Sequence, residues 1–278
     1  MPADRSFPPA PEPLPVAVAD SHCHLDLALE GEPPDVATAV AAATGVGVTR
    51  IVQIGCDLPG ARWAVETAQA HPAVVAAVAL HPNEAPRLAA VGQLAAALDE
   101  IAALAADPRV RAVGETGLDH YRTGDEGRPA QEHSFRRHIA LSKHLGKALV
   151  IHDRDAHSDV LRIVDDEGAP RQVVMHCFSG DAAFARQCLD RGFVLSFAGT
   201  VTFKNAAPLR EALALCPLDR ILVETDSPYL APMPYRGRAN ASFLIPTTLR
   251  VMAEVKGVDV ATLASAVDTT TTRVFGAW

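Results

Sequence analysis

Several features that would narrow a function are absent from this chain. Its 278 residues hold five cysteines (Cys23, Cys56, Cys177, Cys188 and Cys216), an odd number with no CxxC pair, which argues against a disulfide scaffold and against a thiolate zinc site. No apolar run reaches the roughly 20 residues that cross a bilayer, and the N-terminus lacks a charged-then-apolar leader. Positive charge is in the minority: 25 Lys and Arg against 33 Asp and Glu give a net charge of −8. That excludes a globally basic nucleic-acid binder, though not a phosphate substrate, because bound metal cations reverse a local field. No Gly-rich dinucleotide fingerprint follows the first strand-like run, which counts against a Rossmann domain. Reduced cysteines without a span or leader predict a cytoplasmic protein with no membrane partner, and a monomer is the expected state.

What is present is a rhythm. Hydrophobic residues make up 49% of the chain while aromatics are only 5%, so the core is built from Ala, Val, Leu and Ile. Strand-like runs at 16–24, 50–56, 74–81, 110–118, 148–152, 172–178, 193–198 and 221–226 alternate with Ala- and Leu-rich helical stretches, among them 36–45, 91–106 and 130–145. Two further helical stretches, 246–256 and 260–267, follow the last strand. Most of the strands read as continuous apolar runs, the pattern of parallel strands buried on both faces. Eight βα units in a row predict a closed TIM (β/α)₈ barrel in one domain. The barrel is expected over residues 16–278. Residues 1–15, with six prolines, are expected to form an irregular tail, poorly ordered or draped on the surface.

Burying an unpaired polar group costs roughly 2–7 kcal/mol, so polar residues at the ends of apolar strands need a reason. The first strand ends in DSHCHLD, placing His22 and His24 two residues apart and therefore on one face. The third ends in ALHPNE with His81, the fourth in VGETGLDHY with Glu115, the fifth in VIHDRDA with His152 and the sixth in VMHCFSG with His176. The eighth ends in LVETDSPYL with Glu224 and Asp226. In a parallel barrel these carboxyl ends meet at one mouth, where such barrels place their active sites. So many imidazoles and carboxylates in a small volume require a cation, and a metal is the economical one. The remaining histidines (His71, His120, His133, His138, His144 and His157) fall on helices or loops and are read as structural.

The series DSHCHLD, GETGLDHY, IHDRDA, HCFSG, AGTVTFKNA and ETDSPYLAP resembles the TatD family of metal-dependent hydrolases within the amidohydrolase-like barrels. The match runs from about Asp20 to Asn240, with the motifs in the family's order. The resemblance implies two divalent metal ions per chain, zinc, manganese or magnesium. His22, His24 and Asp226 match the ligands of one ion, His152 and His176 those of the other, and Glu115 matches the carboxylate bridging both. Glu224 matches a carboxylate that orients water or a ligand, and His81 a histidine that faces substrate. The loop PYRGRANASF keeps Arg236, Gly237 and Asn240 of the family pattern but has Ala241-Ser242 in place of Glu-Pro, and Asn83 stands where members often carry a second histidine.

Metal ions in such a site lower the pKa of bound water towards neutrality and polarise a phosphoryl or acyl oxygen. The expected function is a deoxyribonuclease in which a metal-bound hydroxide attacks the phosphodiester. Asp226, Glu115 and Glu224 are the catalytic carboxylates, and His81, Lys204, Arg236 and Asn240 the substrate-binding residues, with Arg122 a further loop cation. The expected partner is DNA, with tRNA the partner under a second reading, a D-aminoacyl-tRNA deacylase or another ester hydrolase. The ligands themselves do not separate phosphorus from carbon. A third reading, an inactive barrel serving as a binding partner, needs a missing ligand, and none is missing.

Overall fold

Strands apolar on both faces must be covered on both, and here one face meets helices while the other closes on itself. The computed structural model describes residues 5–278. Strands β1 (Val18–Cys23), β2 (Val48–Gly55), β3 (Val74–Val78), β4 (Val110–Asp119), β5 (Ala148–Arg154), β6 (Val173–Met175), β7 (Val194–Phe197) and β8 (Ile221–Val223) lie in chain order around one sheet. Each pairs in parallel with the next. The connections are helical: α1 (Val36–Thr44), α2 (Leu58–Ala70), α3 (Glu84–Ala90), α4 (Leu94–Ala105), α5 (Arg128–Leu145), α6 (His157–Glu167), α7 (Ala182–Asp190) and α8 (Ala207–Leu215). Two more, α9 (Ile245–Lys256) and α10 (Val260–Phe275), follow β8. The result is the (β/α)₈ barrel that the βα rhythm implied.

Two elements differ from the sequence expectation. The helix expected at 91–106 is present as α4, but the short helix α3 before it (Glu84–Ala90) was not expected, and Gly92, at φ +69, turns the chain left-handed between the two. The last helix runs eight residues beyond the expected end at 267, through the run Thr269–Thr272. Threonine is a modest helix former, but Thr270 and Thr271 are buried and the Thr271 hydroxyl donates to the Val267 carbonyl at 2.8 Å. Packing overrides propensity there.

The core is layered. Val52, Ile54, Val75, Ala77, Ala112, Val150, Val174, Val194 and Leu222 form one cluster with Val274 and Phe275 of α10. These are inward positions of the barrel, and the chain's last residues cap them at the amino ends of the strands. Trp278 Nε1 donates to the Ala73 carbonyl at 3.1 Å beneath β3, and the Arg50 guanidinium lies 4.8 Å from the Trp278 ring centroid. The alternating outward positions pack under the helices.

Before β1, residues 5–15 have no regular secondary structure yet are tied down. Arg238 donates to the Ser6 and Phe7 carbonyls, Arg250 to the Glu12 carbonyl, and Leu14 is buried in the core. Residues 1–4 of the expected tail lie outside the described residues.

The barrel closes between β8 and β1 with little backbone pairing. A single bridge joins Cys23 to Ser227, flanked by the bonds Asp226 N to His22 O and His24 N to Ser227 O, both 2.9 Å. Asp20 does the remaining stitching. Its buried carboxylate accepts from the Thr225 N–H at 3.0 Å, the Thr225 hydroxyl at 2.5 Å and the Ser242 hydroxyl at 2.8 Å. Ser21 adds a bond to the Val223 carbonyl at 2.9 Å. Asp20→Ala would strand those buried donors, and hydrogen bonds to charged groups are each worth about 1.5–3 kcal/mol. The expected outcome is a loss of about 3 kcal/mol or more in urea unfolding. A loss no larger than that of a surface substitution would show that the seam does not depend on Asp20.

Candidate metal centre

The centre forms at the carboxyl ends of the strands because two glycines let β4 and β5 approach. A Cβ on Gly114 would press on the Val150 side chain, and one on Gly117, at φ +138, would collide with the His152 carbonyl. Between them sits Glu115, 3% exposed. Its Oε1 lies 2.5 Å from His152 Nδ1, 3.2 Å from His176 Nε2 and 3.6 Å from His81 Nε2. Its Oε2 lies 3.4 Å from His22 Nε2. Asp226 Oδ1 stands 3.5 Å from His24 Nε2 and 3.7 Å from His22 Nε2. All six residues expected as metal ligands therefore meet in one place, with His81 and Glu224 among them.

Three sets of side chains bring ligand atoms close enough to hold a metal ion: His22, His24 and Glu115; His81, Glu115 and His152; His22, His176 and Glu224. Glu115 belongs to two of them, as a shared carboxylate would. His81 groups with His152 more closely than a residue only facing substrate need do. The fit to a cation is supported by what lacks a partner. Both nitrogens of His22 and Oε2 of Glu224 are buried without a hydrogen-bond partner among the described residues. Buried polar atoms in that state need an explanation, and lone pairs converging from imidazole and carboxylate supply one.

The electrostatics are those of a buried negative charge attracting positive ones. Burial alone would raise the Glu115 carboxyl, but His176, His81 and His152 outweigh it and hold it well below the ordinary carboxylate range. Burial would lower His152, yet Asp119 and Glu115 raise it to about 9. Burial is likewise outweighed at His176, raised well above its usual value by Glu224 and Glu115. The rings of His22 and His176 stack at 3.6 Å, so they do not both carry a positive charge; burial and the neighbouring His176 lower His22. Burial also lowers His81 to about 4.

A second ring of residues fixes the first. Glu224 Oε1 lies 2.8 Å from His176 Nδ1 and accepts from the Cys177 N–H at 2.8 Å. Cys177 and Asp226 both take left-handed backbone angles, φ 41 and 54, conformations that cost of order 1–3 kcal/mol for most residues. Asp119 Oδ2 faces His152 Nε2 at 3.4 Å. Buried Gln53 accepts from Leu25 N–H at 2.7 Å and donates to Asp26 at 2.7 Å, pinning the end of the DSHCHLD segment. Asp20, Asp119 and Gln53 were not singled out from the sequence. Asp20 and Gln53 carried a signal, a polar group inside an otherwise apolar strand. His138, read as structural, is buried and contacts Thr116 Oγ1 at 2.9 Å; His157 pairs with Asp153 at 2.7 Å and stacks on Phe184.

The residues expected to touch substrate are less alike. His81 is at the centre, although β3 ends three residues earlier, at Val78. Lys204 is exposed, and the exposed Arg236 lies 4.7 Å over the Phe203 ring. Asn240 is buried, its amide donating to the Thr225 and Tyr229 carbonyls at 2.9 and 2.6 Å. Its donors are spent on holding the loop.

These shifts set a sign for pH. His152 binds its proton more tightly folded than unfolded, so it stabilises the metal-free fold fully below about 6.5 and loses that contribution as pH rises through about 9. His24 and His176 are raised as well and act in the same direction, as does Asp20, raised to about 7 by burial. The melting temperature of metal-free protein is expected to fall between pH 6.5 and 9. Differential scanning fluorimetry across that range measures it, and a rising midpoint would contradict the assignment.

With the site described, its kin can be stated. Residues 19–276 match the family described as TatD related DNase. A Mycobacterium tuberculosis protein named uncharacterized metal-dependent hydrolase TatD is 48% identical over 213 residues, covering 75% of this chain and 79% of its own length. A Citrobacter rodentium protein named 3'-5' ssDNA/RNA exonuclease TatD is 33% identical over 238 residues, covering 83% and 88%. In three dimensions the chain is similar to YjjV, a TatD homologue from Escherichia coli K12, with a TM-score of 0.83 at 24% identity over 94% of this chain and 98% of that one. No helix among the described residues is long and apolar enough to cross a membrane. The chain belongs to the TatD family of metal-dependent hydrolases.

Proposed function

We propose that this chain hydrolyses phosphodiester bonds of nucleic acid, DNA in particular, with two divalent ions as resident cofactors. The observation that carries the reading is the convergence of His22, His81, His152 and His176 on the single buried carboxylate of Glu115. The relative named an ssDNA/RNA exonuclease supports the substrate class. His22, His24 and Asp226 would hold one ion and His152 and His176 the other, with Glu115 shared. A donor set this rich in imidazole favours zinc or manganese over magnesium. Divalent ions at such a site acidify water and polarise phosphoryl oxygens.

The chain's own residues supply the rest. Asp226, at 17% side-chain exposure the most open of the centre's carboxylates, accepts the proton that the attacking water gives up. His81 Nδ1 accepts from the Asn83 N–H at 3.1 Å. Its proton therefore sits on Nε2 and the neutral ring presents a donor towards the centre, suited to a phosphoryl oxygen as charge builds there. Glu224 fixes His176 through Nδ1, and Asp119 steadies His152, so that each ring keeps its remaining nitrogen aimed inwards. Arg236 and Lys204, at the mouth, attract the backbone of the strand.

Glu115→Ala is expected to lose metal and to lower single-stranded DNA hydrolysis by about 100-fold or more. Metal analysis of the purified protein and a gel of labelled strands measure both. His81→Ala is expected to keep its metal and still lose about 100-fold in kcat. Loss of metal in that variant would make His81 a ligand instead. Wild-type protein that is fully loaded yet leaves DNA intact would sink the nuclease reading.

A further inference from the structure

Next to the metal centre lies a second cavity, of about 520 Å³, and we propose that it seats the terminal nucleoside of a nucleic-acid strand, the unit beyond the bond that is cut. The proposal rests on the nuclease reading above and adds to it where the strand ends. The cavity shares His24 with the centre, so a group seated there adjoins the reacting phosphate. Leu25 and Leu27 after β1, Ala39 on α1 and Phe243 in the β8 loop make its walls apolar. Its volume lies in the range of small-molecule sites, about 300–1,000 Å³.

Charge decides which part of a strand belongs there. The one cationic side chain among the lining residues, Arg5, is engaged by Glu30 at 3.3 Å, and Glu32 adds a second negative charge to the rim. A phosphate would be repelled. Elsewhere around the mouth the signs reverse: Arg122, Lys204 and Arg236 on the loops after β4, β7 and β8, and Arg154 at the end of β5, have no carboxylate partner among the described residues. Two of them lie over aromatic rings, Arg154 over the exposed Tyr121 at 4.0 Å and Arg236 over Phe203 at 4.7 Å. Cations interleaved with aromatic faces suit a single strand, phosphates on one and bases on the other. A strand running from those loops across the centre into the cavity must shed its charge at the last step. Only a nucleoside at a free end, with no phosphate outside it, meets that condition. The cavity is thus an end stop, and it makes cleavage terminal, one nucleotide at a time.

The wall that completes the stop comes from this chain's own N-terminal segment, which precedes the part matching the family. Phe7 packs edge-on against Phe243 with centroids 6.0 Å apart, and the Ser6 and Phe7 carbonyls are held by Arg238. Ala241 and Ser242, where the loop departs from the family pattern, line the same space. The site is therefore walled in part by residues outside the segment that matches the family.

Two variants test it in the full-length protein: Ala39→Trp, which fills the cavity, and Phe7→Ala, which removes a wall. The first measurement is binding of free adenosine by calorimetry or ligand-observed NMR, which needs neither metal nor turnover. Wild type should bind, and each variant should bind about tenfold or more weakly, the scale of one lost base contact. The second compares strands ending in a normal nucleotide with strands whose last sugar carries no base. Wild type should prefer the normal end by about tenfold in kcat/KM, and Ala39→Trp should abolish the preference while treating the baseless end as wild type does. A scaffold fault would instead depress both strands together. Adenosine binding that is absent, or the same in all three proteins, overturns the subsite whatever the enzyme cleaves. Adenosine binding lost on filling the cavity, in a protein that cuts no nucleic acid, would uphold the subsite and overturn the nuclease reading alone.

Discussion

A carboxylate with almost no exposure must find positive charge or hydrogen-bond donors, and Glu115 is met by four imidazoles, two of which, His152 and His176, it helps to hold protonated. Much of the upper barrel follows from that requirement. Gly114 and Gly117 give up side chains so that β4 can approach β5, and the approach is what brings Glu115 and His152 together. Those imidazoles then need orientation, which falls to Glu224 and Asp119. Breaking a buried pair by removing one partner typically costs about 3–5 kcal/mol, so Glu115 itself cannot be replaced without disturbing the rings around it. Charge at the centre is therefore a constraint on the fold as well as a source of chemistry.

The seam between β8 and β1 shows the same coupling from the other side. His22 and His24 lie on β1 or its end, Glu224 and Asp226 just past β8, so the metal centre straddles the place where backbone pairing is thinnest. Asp20 joins the two strands through Thr225, the residue between Glu224 and Asp226. A single buried carboxylate thus sets the spacing of ligands from both ends of the sequence. Ser242 ties the loop that follows to the same oxygen.

Much of this was readable from residues alone, and the reasons differ by element. The barrel was legible because continuous apolar runs alternated with helical stretches eight times, a pattern few other architectures accept. The clustered side chains were legible because polar residues stood at the same register in several strands. His138 and His157, on helices, lie outside that cluster. The supporting residues were harder. Asp119 looks like any acid at a strand end, and its role appears only once His152 is placed against it. Asn240 carries the signature of a substrate contact, and only the loop's path shows its amide committed to backbone carbonyls. The short helix α3, only seven residues long and carrying a proline, gave too little pattern to read, and the length of α10 depended on what its threonines pack against. Long-range contacts decide such cases, and local pattern does not contain them.

The C-terminal residues beneath the strands have a kinetic consequence. With Val274, Phe275 and Trp278 packed under the barrel, the interior has a floor and a single door. Water and substrate then share the opening at the carboxyl ends of the strands, so traffic there is sequential. A departing product must leave before the next substrate can enter. Release at that opening therefore sets a ceiling on turnover that no change at the helical face of the barrel can lift.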